Sequence, residues 1–167
     1  ANYKITGIIL RDTASGNVVP YTQANEAVAG EPVQYQFTMP NGNVTVQVLT
    51  EAIEYKVTVV ETENPQGGTY TINGDTTTNK MIKQGDQVDI GLHVEPGYTA
   101  TVKATYTTTD RSGKTHETTI TGVDGTEIYA AGESTISFTM VEADVKVEIA
   151  YSKIDYTVTA QKPEHGT

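Results

Sequence analysis

The residues able to carry chemistry are few and scattered. His93, His116 and His165 lie 23 and 49 positions apart. Metal ligands recur at much shorter spacing, so these are read as surface histidines and no metal ligand is assigned. There is no Cys, which removes thiolate nucleophiles, thiolate metal sites and disulfides together. No Gly-x-Ser-x-Gly elbow is present to raise a serine nucleophile, and no catalytic residue is assigned. Calcium needs several converging oxygens. Asp124-Gly125-Thr126-Glu127 and Asn73-Gly74-Asp75 are the best local candidates, although Asp or Asn before Gly is an ordinary turn former; whether calcium binds stays open. The chain has ten Tyr and no Trp. Tyr55, Tyr98, Tyr106 and Tyr151 fall on apolar strand faces and are expected in the core. Tyr3, Tyr21, Tyr70 and Tyr129 are less constrained and could form a sugar-stacking platform. Asn43-Val44-Thr45 is a formal glycosylation sequon, read as a strand start. The ligand-binding residues are left unassigned, and no cofactor is expected.

The elements that must position these groups are strands. Of 167 residues, 29 are Thr, 18 Val and 12 Ile, against three Leu. Side chains branched at Cβ are stiff in helices and suit a pleated, half-buried surface. Helical bundles and doubly wound α/β folds are thereby disfavoured. With 11 basic and 21 acidic residues the net charge is -10, the wrong sign for phosphate backbones or an anionic membrane surface. Neither a nucleic-acid partner nor insertion into a membrane is expected. No signal peptide is read at Ala1, so an exported form would have lost its signal or carry it outside these residues.

Alternation of apolar and polar residues is clear in 88–94, 98–106, 136–140, 145–151 and 33–39. Each is expected to be an antiparallel strand with one face in the core. Met39-Pro40-Asn41-Gly42 carries Pro and Gly where a type I turn prefers them, predicting a hairpin of 33–39 with 43–49. A second hairpin is expected around Val141-Glu142-Ala143-Asp144. Further turns are marked by Gln66-Gly67-Gly68, Asn73-Gly74-Asp75, Gln84-Gly85-Asp86, Glu95-Pro96-Gly97, Arg111-Ser112-Gly113 and Asp124-Gly125. Helix is expected at most as one turn within 24–29.

The chain also echoes itself. Phe37-Thr38-Met39 recurs as Phe138-Thr139-Met140, Val44-Thr45-Val46-Gln47-Val48 as Val145-Lys146-Val147-Glu148-Ile149, and Tyr55-Lys56-Val57-Thr58-Val59 as Tyr156-Thr157-Val158-Thr159-Ala160, all at an offset of 101. Such a period is the mark of a repeat architecture. The expected fold is therefore all-β, with antiparallel β-sandwich or β-grasp-like repeat modules in about one and a half copies of a unit of 101 residues. Residues 1–53 read as the closing half of a unit, 54–154 as a complete unit, and 155–167 as the first strand of a following one. A fragment of a longer repetitive protein is preferred to a circular permutation.

Tyr55-Lys56-Val57, Gly67-Gly68-Thr69, Gly85-Asp86-Gln87-Val88, Glu95-Pro96-Gly97-Tyr98 and Phe37-Thr38-Met39-Pro40 occur in an order that resembles the divergent internalin-type B-repeat modules of bacterial surface proteins. The resemblance covers most of the chain, although 107–134 is longer than in a compact B-repeat. It rests on turns and alternating strands, and it supplies no catalytic positions. It implies stalk or adhesion modules outside the cell, and a β-grasp arrangement with a short helix is among the folds it allows.

The expected function is thus a non-catalytic extracellular repeat module of a bacterial surface protein, at the cell surface or in the cell wall, acting as a stalk or adhesion segment. The alternative is a module of a surface adhesin that binds host glycan or protein. An enzyme is not expected. The partners expected are adjacent repeat modules, with a host glycan or protein as ligand in the alternative. Strand exchange through 155–167 is a further expectation.

Overall fold

Runs of Thr, Val and Ile broken by Gly, Asn and Pro give short strands separated by tight turns. The computed structural model describes residues 3–25 and 32–159. The chain divides into two compact units, Ala1–Glu54 and Tyr55–Thr167. The strands of the first are β1 (Tyr3–Asp12), β2 (Tyr21–Gln23), β3 (Tyr35–Phe37) and β4 (Val44–Ala52). Those of the second are β5 (Glu54–Glu63), β6 (Gly68–Ile72), β7 (Asn79–Lys83), β8 (Gln87–Val94), β9 (Tyr98–Thr109), β10 (Thr115–Asp124), β11 (Gly132–Thr139) and β12 (Val145–Lys153). The fold is all-β, and a single 3-10 turn at Pro65–Gly67 is the one helical element among the described residues. A β-grasp helix is accordingly not found there. The turn expected within 24–29 falls largely on 26–31, outside the described residues.

In the second unit β5, β7, β9, β10 and β12 form one sheet in the order β10-β9-β12-β5-β7, and β11-β8-β6 form the other. Every connection except β9–β10 therefore crosses between sheets. The two sheets share one core. Val57 and Val59 of β5, Val102 and Ala104 of β9, and Val147, Ile149 and Tyr151 of β12 meet Ile72 of β6, Val88, Ile90 and Leu92 of β8, and Ile136 and Phe138 of β11. β8 alternates strictly, with Val88, Ile90, Leu92 and Val94 all buried. β12 departs from the antiparallel expectation, running parallel to β5 with Val145 beside Val57 and Val147 beside Val59. Parallel pairing needs a long crossover, and β6 to β11 provide it.

The first unit holds two small sheets, β1-β4 and β2-β3. Its core is small: Ile8, Leu10 and Val19, with Tyr35 and Val44 packed against them.

Both expected hairpins are absent. β3 pairs with β2 while β4 pairs with β1. Likewise β11 pairs with β8 while β12 pairs with β9 and β5. The residues 40–43 and 140–144 are corners that carry the chain from one sheet to another. At the 140–144 corner this buries apolar residues of both flanking strands, Phe138 before it and Val145 and Val147 after it. Of 155–167, residues 155–159 form no strand, with Tyr156 and Val158 exposed; residues 160–167 are outside the described set.

Candidate functional site

Two hollows stand out, one in each unit. In the second unit an open cleft of about 400 Å³ is lined by Glu61 of β5, Pro65, Gly68, Thr69 and Tyr70 of β6, and Thr76, Thr77 and Thr78. Its geometry is set by glycine. A Cβ on Gly67 would lie 2.6 Å from Tyr151 Cβ, and one on Gly68 would lie 2.1 Å from the His93 carbonyl and 2.5 Å from Tyr151 Cε1. Only glycine lets the 65–68 backbone lie against the Tyr151 ring. Asn64, in the left-handed region at φ 41°, donates its Nδ2 to the Tyr151 carbonyl at 2.9 Å and fastens this corner.

The Tyr151 hydroxyl is fully buried with no hydrogen-bond partner among the described residues. Burial pushes this phenol up to about 12, with Glu61 and Tyr70 adding to the effect. Burial also raises Tyr70, again with a contribution from Glu61. The cleft therefore joins a half-buried aromatic ring, a carboxylate and three consecutive threonines. Such a set can stack on an apolar ligand face and exchange hydrogen bonds with hydroxyl groups.

The second hollow, about 370 Å³, lies on β2-β3 and is lined by Pro20, Tyr21, Thr22, Gln36, Phe37 and Thr38. Tyr21 meets Tyr35 edge-on, with ring centroids 5.4 Å apart.

The four tyrosines proposed as a platform are divided between the two units. Tyr70 and Tyr129 pack against the core of the second unit, as Tyr55, Tyr98 and Tyr106 also do, whereas Tyr3 and Tyr21 are exposed strand residues of the first. Tyr129 is drawn inward because its backbone bridges Ala100 of β9. Its hydroxyl donates to Glu127 at 3.0 Å, and burial with that carboxylate pushes the phenol up to about 12. Tyr151 is buried as expected.

The acidic and histidine candidates are engaged locally. Asp124 Oδ1 accepts from the Thr126 amide at 3.0 Å and its hydroxyl at 2.6 Å. Asn73 and Gly74, at φ 48° and 80°, form the two central residues of a tight turn. The Asn73 Oδ1 accepts from the Asp89 amide at 2.7 Å, and Asp75 pairs with Lys80 at 2.6 Å. His93 Nδ1 faces Glu133 at 2.6 Å while its Nε2 faces Glu95 at 3.5 Å, so each ring nitrogen meets a different carboxylate. His116 lies 3.1 Å from Asp110; His165 is outside the described residues. Among the described residues no group of three or more His, Cys, Asp or Glu is placed to hold a metal ion. The sequon residues serve the backbone: β4 begins at Val44, and the Asn43 carbonyl accepts from the Thr13 amide at 2.9 Å.

The perturbed carboxylates share one cause. Asp110 is held down to about 2 by the Ser112 hydroxyl, then His116 and the Lys114 amide. Asp12 is lowered by the Ala14 amide and the Ser15 hydroxyl, Asp89 by Gln87 and Ser137, and Asp124 by Thr126. These shifts keep the acids ionised as acceptors, closing turns at Asp12, Asp110 and Asp124 and bridging β8 to β11 at Asp89; a general acid at neutral pH needs the opposite shift.

Glu61 and Thr76 to Thr78 escaped the sequence reading, which named Gly68 and Thr69 in a turn motif and only Tyr70 as a binding candidate. The Thr-Thr-Thr run after Asn73-Gly74-Asp75 was the available signal. No family model, curated protein or solved structure matches this chain.

Proposed function

We propose that the chain is a non-catalytic extracellular repeat module of a bacterial surface protein, serving as a stalk or adhesion segment. The observation that carries the reading is that one sequence echo at an offset of 101, residues 44–48 with 145–149, falls on strands that each have an antiparallel neighbour from earlier in the chain. β4 lies antiparallel to β1 as β12 lies antiparallel to β9. The turn aspartates add support. Asp12 and Asp110 each close the turn that follows the equivalent strand, through a serine hydroxyl at 2.8 Å and 2.5 Å. Side chains that could react are spent on turns and strand junctions, as suits a load-bearing spacer. The net charge of -10 keeps neighbouring copies apart. Brief protease treatment of intact source cells tests the reading: peptides of this chain should be released while cytoplasmic markers stay intact. Recovery only after lysis would refute it.

A second reading, a glycan-binding adhesin module, is favoured by the cleft with Tyr70, Glu61 and Thr76 to Thr78. Titration with a panel of oligosaccharides, followed by amide chemical shifts, should move residues 68–78 if it holds. The Tyr70→Ala chain should then lose the response.

A further inference from the structure

Equivalent residues of the two units differ in what covers them. Phe37, Met39, Val46 and Val48 are 40%, 59%, 53% and 52% exposed, whereas Phe138, Met140, Val147 and Ile149, each 101 positions on, are 7%, 2%, 0% and 0% exposed. The difference is not in the strands themselves. Val46 faces Leu10 and Val48 faces Ile8 across β1-β4, and directly opposed residues of an antiparallel pair share a face. Leu10 and Ile8 are buried with Val19 and Tyr35. One face of β1-β4 is thus covered on its β1 side and at Val44, and bare at Val46 and Val48 of β4.

In the second unit the matching positions are covered. Val147 and Ile149 belong to a cluster with Val57 and Val59 of β5, Ile72 of β6 and Val88, Ile90, Leu92 and Val94 of β8. The far edge of β12 is taken by β5 in parallel. β4 has only β1 as a strand neighbour among the described residues. What the first unit lacks is therefore the counterpart of β5 to β8.

We infer that the bare face and free edge of β4 are the seat of an opening half-unit of the same repeat. Such a segment has the pattern of residues 54–94, and its first strand enters parallel to β4. The inference rests on the repeat-module reading above. It commits to this occupant because the second unit shows the same apolar positions closed by that half-unit, with Val57 and Val59 beside Val145 and Val147. Val44 and Val46 stand at the corresponding positions of β4. Val46 and Val48, exposed on the same face of β4, are apolar side chains that an entering strand and its sheet would cover. A parallel entering strand also avoids a rigid tight turn, since β1 to β3 form the crossover.

The test adds a second copy of residues 54–97 directly ahead of Ala1 in the full chain and follows amide hydrogen exchange. The β4 amides should exchange at least about tenfold more slowly than in the unextended chain, and binding of a hydrophobic dye should fall. Val57→Lys with Val59→Lys in the added copy alone should abolish both effects, while protection of β12 reports that the rest remains folded. Unchanged β4 exchange in the extended chain, with β12 protected, overturns the inference. So does an unextended chain that dimerises on a sizing column with β4 protected, because the seat would then belong to a second copy. Neither outcome touches the surface-location reading, which stands or falls by protease release from intact cells.

Discussion

Gly67, Gly68 and Tyr151 show how one residue choice fixes its neighbours. The ring of Tyr151 fills the space that any side chain at Gly68 would need. Gly68 has φ 172°, an extended backbone that any residue adopts, so the requirement is for room alone. Gly68→Ala should destabilise the fold by about 3 kcal/mol, the scale of overpacking a dense core. The check is a denaturant titration in which the midpoint falls at constant slope. Tyr151→Phe should act the other way. Its buried hydroxyl has no partner among the described residues, and removing an unsatisfied group should add about 1 kcal/mol of stability at neutral pH. The phenol, moved from 10.0 to about 12, binds its proton more tightly in the folded state. That contribution is present below pH 10 and is lost as pH rises toward 12, so the Phe variant should lose less stability in alkali.

Asp110 gives the acid counterpart. Its carboxyl is lowered from 3.8 to about 2, so the fold favours the ionised form. The benefit is complete above pH 4 and fades as pH falls from 3.8 toward 2. Asp110→Asn should be less stable than the parent chain at pH 7, and urea midpoints should converge as pH approaches 2. A constant gap across that range would show that the hydrogen-bond geometry alone matters.

Strands carry the same residues to different ends. Val46 of β4 and Val147 of β12 lie 101 positions apart in matching sequence segments, yet only Val147 is sealed in a core. Val147→Ala should cost about 2 kcal/mol by lost burial and cavity formation, whereas Val46→Ala should stay within about 0.5 kcal/mol. Equilibrium unfolding of both variants measures the contrast. Similar costs would mean that Val46 is covered in solution.

The strand positions themselves were legible. Val88-Asp89-Ile90-Gly91-Leu92-His93-Val94 and the alternation from Tyr98 to Tyr106 fall inside β8 and β9, because which face a side chain takes depends only on its parity along the strand. That the chain forms no hairpin at Met39-Pro40-Asn41-Gly42 was not legible. A turn signal reports that the chain reverses; it does not report whether the next strand stays in the sheet or crosses to the other. The parallel neighbour of β12 is hidden for the same reason, since Val57 and Val145 are 88 residues apart.

The units differ as wholes in how much they bury. The second closes a core from both of its sheets, while the first gathers three buried side chains and two partly buried ones. Local opening follows the density of buried contacts. In native-state hydrogen exchange on the intact chain, β1 and β4 should open at lower free energy than β9 and β12, and heating should remove their protection first. A single cooperative loss across both units would refute this.

By itself the sequence determined the all-β class, the strand faces and the turn positions, because β-branched stiffness, period-2 alternation and Gly, Asn and Pro chemistry act within a few residues. It also displayed the 101-residue echo. Only the tertiary structure decided that the corners cross between sheets, that β5 runs beside β12, and that Glu61, Tyr70 and Thr76 to Thr78 line one cleft. Those outcomes depend on which distant apolar faces exclude water together, a choice made by the packed chain as a whole.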